Sequence, residues 1–227
     1  MILTSIYINA VNREVRDCLA DTHAMHVRIM SLFGRATDGP ARASFGVLYR
    51  CEVDEREGTV RLLLQSRTAP DFAKWPAGIV DPRAASPNPR TTQLEPLLGS
   101  LRGQYRFRLR ANATRKIDTK TREDGTKSNG QRVPLRSDED RIAWLTRQAE
   151  HHGFRLATTD DGNVIARVLP GGSTLGRRGK ANVTHEGALF EGVLVVGDAA
   201  LLREAVVQGV GPGKSYGFGL LSLAPFR

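Results

Sequence analysis

The sequence predicts an α+β fold made of two halves, each close to a split β-α-β motif. Three observations support this prediction: short β-rich segments alternate with helical ones, the helical segments carry capping residues, and the composition changes near residue 100. A chain of 227 residues is long enough for one large core or two modest ones. We therefore divide it into two domains, residues 1–98 and residues 99–227.

The first half is predicted to contain a strand at 3–9, helical sequence at 15–33, strands at 44–53 and 59–66, and a closing strand at 91–98. The helical sequence should break near Asp21, because Asp21 or Thr22 can cap a second helix. In that second helix Met25, Ile29 and Leu32 recur at the i, i+4 and i+7 spacing of one apolar face. The order of the first half is therefore β-α-β-β with a closing strand.

The second half repeats this alternation, with strands predicted at 105–116, 132–135, 164–169, 188–196 and 215–223 and helices at 137–152 and 198–208. Ser137 and Asp140 form a capping box at the start of the first of these helices, and Gly153 stands where a glycine commonly ends a helix. Asp198 caps the other helix. No short repeat links the halves, so any duplication lies at the level of the fold.

Composition excludes several classes of protein. A content of 40% hydrophobic and 25% charged residues is that of a globular chain, and no segment is long and apolar enough to cross a bilayer. The first residues do not form a basic segment followed by an apolar run, so we expect a cytoplasmic protein without a secretion signal. Cys18 and Cys51 are too few for a disulfide framework, and no CxxC or HExxH motif supplies zinc ligands. We expect neither a metal nor a cofactor.

Basic residues are concentrated in one segment. The chain has 33 lysines and arginines against 24 acidic residues, and residues 102–136 hold eleven of the basic residues and three of the acidic ones. Such a cluster indicates a polyanionic partner, because bound phosphates release their counterions to it. The alternative is a solvated strand with a charged loop. Residues 119–131 are polar and glycine-containing, which is typical of a loop that orders on a nucleic acid.

A glycine-rich loop lies near the end of the chain, with glycines at Gly209, Gly211, Gly213, Gly217 and Gly219. A loop of this kind lets backbone N–H groups approach a phosphate, with Lys214 as a point charge and Ser215 beside it. It is not a P-loop, because Gln208 occupies the place of the first glycine and the loop joins a helix to a strand. A helix C-cap with a tight turn would explain Gly209 alone.

Several motifs together resemble one known family. They are the first strand and the helix carrying His26, YRFRLRANATRK at 105–116, RVPL and IAWL within 132–145, HHGFRL at 151–156, LFEGVLVV at 189–196, and QGVGPGKSYGFGLLSLAP at 208–225. In these motifs the chain resembles the CasE family, the CRISPR repeat-processing endoribonucleases of the type I-E Cascade system, within the repeat-associated RNA-binding superfamily. The resemblance implies two tandem ferredoxin-like (RRM-like) domains, each an antiparallel sheet with helices on one face.

The resemblance also implies an activity and partners. The implied activity is metal-independent cleavage of CRISPR precursor RNA at the 3′ base of the repeat hairpin, by attack of a 2′-hydroxyl that leaves 5′-hydroxyl and 2′,3′-cyclic phosphate ends. The product stays bound as mature crRNA, and the protein joins the other Cascade subunits. The competing hypothesis is a non-catalytic subunit that binds an RNA hairpin. A DNA-binding regulator is the third, and no helix-turn-helix signal supports it.

Two histidines are the candidate catalytic residues. The resemblance assigns this role to His26, and His23 lies three residues earlier, on the same side of a helix and near its N-terminus. Histidine can move both protons of a metal-free RNA cleavage near neutral pH. His23 either transfers the complementary proton or only positions the phosphate, and the division into base and acid stays open. The other three histidines are interpreted as structural: His151, His152 and His185.

The candidate RNA-binding residues are basic or lie in the glycine-rich loop. They are Arg108, Arg110, Arg115, Lys116, Arg132, Arg177, Arg178, Lys180, Lys214 and Ser215. A-form RNA is recognised through its shape and phosphates, and the turn at 176–180 is placed to project toward a groove edge. The alternative for that turn is an exposed, charged hairpin tip. Aromatic residues make up 6% of the chain, so recognition by base stacking is not favoured.

Overall fold

Two antiparallel sheets and a separate two-stranded ribbon, with helices packed on the sheets, form the protein. The computed structural model describes residues 1–37, 39–117, 131–178 and 181–226. Within these residues no helix has the length and apolar character needed to span a membrane. The predicted α+β class is confirmed.

The first sheet is built from residues 2–93. Its elements and those around it are β1 (Ile2–Ile8), α1 (Arg13–Ala20), α2 (Thr22–Met30), α3 (Ala41–Ser44), β2 (Leu48–Asp54), β3 (Thr59–Ser66), β4 (Arg90–Gln93) and α4 (Glu95–Leu98), with a 3-10 turn at Phe72–Lys74. The strand order is β2-β3-β1-β4, with antiparallel neighbours. This is the order of a split β-α-β sheet, with the 3-10 turn in place of a second crossing helix.

The second sheet uses the rest of the chain. Its elements are β5 (Gln104–Ala111), β6 (Thr114–Ile117), β7 (Gln131–Pro134), α5 (Asp138–His151), β8 (Phe154–Leu156), β9 (Ala166–Arg178), β10 (Ala181–Val196), α6 (Ala199–Gln208) and β11 (Leu221–Pro225), with a 3-10 turn at Lys214–Tyr216. The order is β11-β5-β10-β8, and β9 also pairs with β10. Strands β6 and β7 form the separate ribbon.

Each sheet has its own apolar core. Ile6, Ile29 and Leu62 are completely buried under the first sheet, while Phe190 and Leu202 are completely buried under the second. A third, small cluster of Leu48, Leu63 and Leu220 joins the two sheets. The described structure therefore has one core for each sheet, which agrees with the two tandem domains that the family resemblance implies. The boundary at 98/99 falls at the end of α4 and stays a prediction.

Several predicted elements are confirmed with their caps. Strand β3 has the predicted bounds, and the helical sequence breaks at Asp21, which caps α2. The backbone N–H of Asp140 donates to Ser137 Oγ at 3.1 Å, and Gly153 follows α5 with a φ of 71°. Asp198 caps α6 with two hydrogen bonds from backbone N–H groups.

Four strand predictions need correction, because tertiary contacts or backbone turns override the local pattern. Residues 41–44 form helix α3 and residues 95–98 form helix α4, so the predicted strands at 44–53 and 91–98 are each partly wrong. The strand at 105–116 breaks at Asn112 and Ala113, where the ribbon begins. In the predicted strand at 215–223, Gly217 adopts a left-handed conformation that a strand does not accept, so the strand starts at Leu221.

Candidate active site

Helix α2 meets the glycine-rich loop, and a buried tyrosine holds the two together. The hydroxyl of Tyr49 on β2 lies 3.3 Å from the carbonyl oxygen of Thr22 and 3.1 Å from that of Ser215, so the two carbonyl groups share its single proton. Burial raises the pKa of Tyr49 well above its ordinary value, which keeps the hydroxyl protonated as a donor. Residues from both halves of the chain therefore form one site.

The two candidate histidines lie on the first two turns of α2. Asp21 begins the helix by accepting a hydrogen bond from the backbone N–H of His23 at 2.9 Å. His23 is exposed, whereas His26 is partly buried and its Nδ1 is buried without a hydrogen-bond partner among the described residues. Burial lowers the pKa of His26, and the neighbouring positive charges of His23 and Arg42 lower it further. The neutral form of His26 is thus favoured.

Two partly buried cations stand at the same junction. Arg42 on α3 donates from Nη1 to the carbonyl oxygen of Val47 at 3.0 Å, and Lys214 lies on the 3-10 turn that packs against α2. Burial lowers the pKa of both side chains, and the charge of Arg42 also lowers that of Lys214. Within the described ranges, neither forms an ion pair with a carboxylate. Uncompensated positive charge at a partly buried position favours binding of an anion.

The backbone conformation of the glycine-rich loop explains why each of its five glycine positions is occupied by glycine. Each has a φ between 79° and 90°, where side chains other than glycine are strained. The loop is also crowded: a Cβ on Gly213 would lie 2.9 Å from Phe218, and one on Gly211 would lie 3.1 Å from Trp144. The C-cap interpretation is therefore too narrow, since each glycine has a structural reason. Contact of this loop with a phosphate stays a prediction.

Two arginines of the predicted basic strand are engaged within the protein. Arg108 lies between the sheets and pairs with Glu52 on β2 and Glu191 on β10. The Nε of Arg110 donates to the carbonyl oxygen of Gly171 at 2.9 Å, and its guanidinium lies 4.7 Å from the ring centroid of Phe218. The structure therefore does not bring Arg108 to the histidines. Arg110 joins the middle of β9 to the glycine-rich loop.

The remaining basic candidates lie on the ribbon and the β9–β10 hairpin. Arg115, Lys116 and Arg132 are exposed on β6 and β7, with Lys116 directly opposite Arg132. The backbone of Arg177 and Arg178 forms the last paired residues of β9, next to the predicted projecting turn. Lys180 and residues 119–130 of the predicted mobile loop lie outside the described residues. The RNA-binding roles of all these residues stay predictions.

The three histidines interpreted as structural lie outside α2, and two of them, His152 and His185, are near the glycine-rich loop. His151 is exposed at the end of α5, and burial followed by the charge of Lys214 lowers the pKa of His152. The ring of His185 on β10 packs 4.5 Å from that of Tyr216, and its Nδ1 lies 3.1 Å from the side-chain nitrogen of Asn112. These contacts support the glycine-rich loop.

Sequence reasoning missed Arg42 and Tyr49. Neither belongs to a motif, and Tyr49 reaches the site through partners 27 and 166 residues away along the chain. The alternation of β2 could have marked Tyr49 as buried, but no local pattern singles out Arg42. In the described part of the chain, no group of three or more His, Cys, Asp or Glu side chains is arranged to hold a metal ion.

Comparison with known proteins places the chain in a family. Residues 1–225 match the family model described as CRISPR associated protein. The chain belongs to this family. More specifically, it is a member of the CasE/Cse3 group, as two curated relatives and a solved structure indicate.

The Thermus thermophilus relative, CRISPR-associated endoribonuclease Cse3, is 32% identical over 99% of this chain and 100% of its own. The Escherichia coli relative, CRISPR system Cascade subunit CasE, is 40% identical over 52% of this chain and 57% of its own. The structure of Thermus thermophilus Cse3 bound to an RNA representing a pre-cleavage complex has a TM-score of 0.77, 30% identity, and coverage of 99% and 98%. The tandem ferredoxin-like fold is therefore confirmed.

Proposed function

We propose that this CasE/Cse3 family member is a metal-independent endoribonuclease. It cleaves CRISPR precursor RNA at the 3′ base of the repeat hairpin, remains bound to the mature crRNA and becomes a subunit of Cascade. The observation that carries the proposal is the partly buried His26, which is close to the charge of Arg42 and lies on the helix against which the 3-10 turn of Lys214 packs. The similarity to an endoribonuclease over 99% of the chain supports it. We place the activity in the cytoplasm, where the precursor RNA is made.

The chemistry begins with the nucleophile. His26, neutral near pH 7, accepts the proton of the 2′-hydroxyl as this oxygen attacks the adjacent phosphorus. Because Nδ1 is buried, Nε2 is the ring nitrogen that meets the substrate. The bond from phosphorus to the 2′-oxygen forms while the bond to the 5′-oxygen breaks. The products are a 2′,3′-cyclic phosphate and a 5′-hydroxyl.

The leaving 5′-oxygen needs a proton, and His23 is the group that supplies it in this proposal. His23 is exposed one helical turn before His26, so both rings can reach the same phosphate from the first turns of α2. Positive charge at the N-terminus of α2 adds to the attraction for that phosphate. The two histidines thus divide the proton transfers, with His26 as base and His23 as acid.

RNA binding is assigned to two basic extensions. The exposed Arg115, Lys116 and Arg132 place like charges on facing strands of the ribbon, an arrangement that phosphates stabilise. The β9–β10 hairpin carries Arg177 and Arg178 at its far end. Since the major groove of A-form RNA is deep and narrow, such extensions contact phosphates and groove edges.

The test is a single-turnover assay in EDTA on the host repeat hairpin, beside a copy with one 2′-deoxy substitution immediately 5′ of the expected cut. We expect cleavage of the all-ribose RNA only. His26→Ala should bind equally well and cut roughly 10²–10⁴-fold more slowly, the usual contribution of a general acid or base. His151→Ala, which removes an exposed histidine from α5, is the matched control. Tight binding without cleavage by the wild type would favour the non-catalytic subunit.

A second RNA substrate tests which of the two histidines acts as the base and which acts as the acid. Replacing the bridging 5′-oxygen by sulfur creates a leaving group that departs without a proton. This RNA should restore cleavage by His23→Ala and leave His26→Ala slow. Restoration of His26→Ala alone would reverse the two assignments.

A further inference from the structure

Arg42 is close to His26 on α2 and to Lys214 in the glycine-rich loop, since its charge lowers the pKa of both side chains. Its guanidinium is fixed on the carbonyl oxygen of Val47, one residue before β2. The next two residues, Leu48 and Tyr49, lie against the loop: a Cβ on Gly209 would be 2.8 Å from Leu48, and the Tyr49 hydroxyl lies 3.1 Å from the carbonyl oxygen of Ser215. Arg42 is thereby held where the two halves of the chain meet.

The hydrogen bonding of Arg42 is incomplete at this position. A guanidinium carries five N–H donors, and the partner of Arg42 among the described residues is the single carbonyl oxygen of Val47. The side chain is only partly exposed, and no described carboxylate pairs with it. Two other arginines between the sheets do have a carboxylate partner, since Arg50 and Arg108 both form ion pairs with Glu52. Unused donors beside a histidine point to an anionic ligand.

We propose that Arg42 is a catalytic residue that binds the non-bridging oxygens of the scissile phosphate together with Lys214. This inference rests on the proposed endoribonuclease function and adds a group to it. As the 2′-oxygen attacks, negative charge accumulates on these oxygens, and fixed donors stabilise it without reorganisation. Val47 fixes one edge of the guanidinium, which leaves the other donors for a fork-like contact that an ammonium does not make.

The proposal has a structural consequence for assembly of the site. Arg42 comes from the segment that precedes β2 in the first sheet, and Lys214 comes from the loop between α6 and β11 of the second. Each half thus supplies one cation. Tyr49 joins the two segments, so the two charges approach the same phosphate only when the halves are packed together.

The experiment compares Arg42→Ala, Arg42→Lys and a control, Arg90→Ala, under single-turnover conditions with saturating protein. Arg90 is exposed on β4, at the sheet edge opposite β2, and its removal changes the net charge equally. We expect Arg42→Ala to cut about 10²–10³-fold more slowly, the usual effect of losing one transition-state donor, with hairpin affinity within about threefold of the wild type. Arg42→Lys should recover only part of the rate, and Arg90→Ala should cut normally.

Added guanidinium ion distinguishes a catalytic from a structural role. Millimolar guanidinium, compared with sodium at equal ionic strength, should restore part of the cleavage by Arg42→Ala and none by His26→Ala. Cleavage by Arg42→Ala within threefold of the wild type, or a slow variant that guanidinium does not restore, would overturn the proposal while the wild-type cleavage still upholds the nuclease. A wild type that does not cut would overturn both.

Discussion

Glu52 links the two sheets through several arginines, and its charge has a measurable effect on stability. Its side chain, 18% exposed, pairs with Arg50 and Arg61 within the first sheet and with Arg108 of the second. Arg50 is 3% exposed and also donates to Ser222 Oγ at 3.0 Å. Burial alone would raise the pKa of Glu52, but the hydrogen bonds and charges of Arg61 and Arg50 outweigh it and lower the pKa to about 2.

The magnitude follows from proton linkage. An ordinary pKa of 4.5 in the unfolded chain against about 2 in the folded one corresponds to roughly 3 kcal/mol of stability at pH 7. Because the folded pKa is the lower one, this contribution is complete above pH 4.5 and is lost as the pH falls toward 2. By the same relation, the contribution of Glu52 to the free energy of unfolding is about 2 kcal/mol at pH 3.5 and about 1 kcal/mol at pH 3.

The variant that tests this is Glu52→Gln, which keeps the shape and removes the charge. Urea unfolding, which adds no salt, should give a variant less stable than the wild type by roughly 3 kcal/mol at pH 7, with the difference shrinking to about 1 kcal/mol at pH 3. Glu55→Gln, an exposed substitution in the turn after β2, should change stability by less than about 0.5 kcal/mol. A difference for Glu52→Gln that is independent of pH, or that grows as the pH falls, would refute the reasoning.

Three further predictions concern the candidate site. Since burial and nearby positive charge lower the pKa of His26, the rising limb of kcat/KM against pH should have its midpoint below 6.5, and a rate that falls over that range would exclude His26 as the base. Gly213→Ala, crowded by Phe218, should lose roughly 2–3 kcal/mol in urea unfolding, whereas Gly103→Ala, with similar φ but open space, should lose only about 1 kcal/mol. Lys214→Ala should reduce the slope of log affinity against log salt by about 0.7–0.9 in hairpin titrations, and an unchanged slope would show that Lys214 meets no phosphate.

The elements that the sequence predicts correctly are those determined locally. Asp21, Ser137 and Asp198 begin helices through hydrogen bonds that span two or three residues, so the pattern contains the whole interaction. The predicted final strand begins too early, because the backbone between Gly213 and Gly217 contains left-handed turns that the β-rich sequence pattern does not reveal.

The candidate site is less predictable, because its contacts join distant segments. Alternation along β5 places Arg106, Arg108 and Arg110 on one face, but it does not reveal that Glu52 and Glu191 cover part of that face. An exposed basic strand and a strand whose arginines form ion pairs between the sheets have the same alternating sequence pattern. No sequence pattern identifies Arg42 as a residue of the site, because only the packing of α3 against the start of β2 brings it toward His26.

The left-handed glycines of the loop between α6 and β11 have a consequence for how relatives are recognised. Their spacing is required by backbone turns and by crowding against Phe218 and Trp144, and both requirements exist whether or not the protein cuts RNA. A descendant that lost its nuclease activity and kept its place in a complex would retain this pattern unchanged. Loss of the activity would instead appear as a substitution of the histidine far upstream, at position 26.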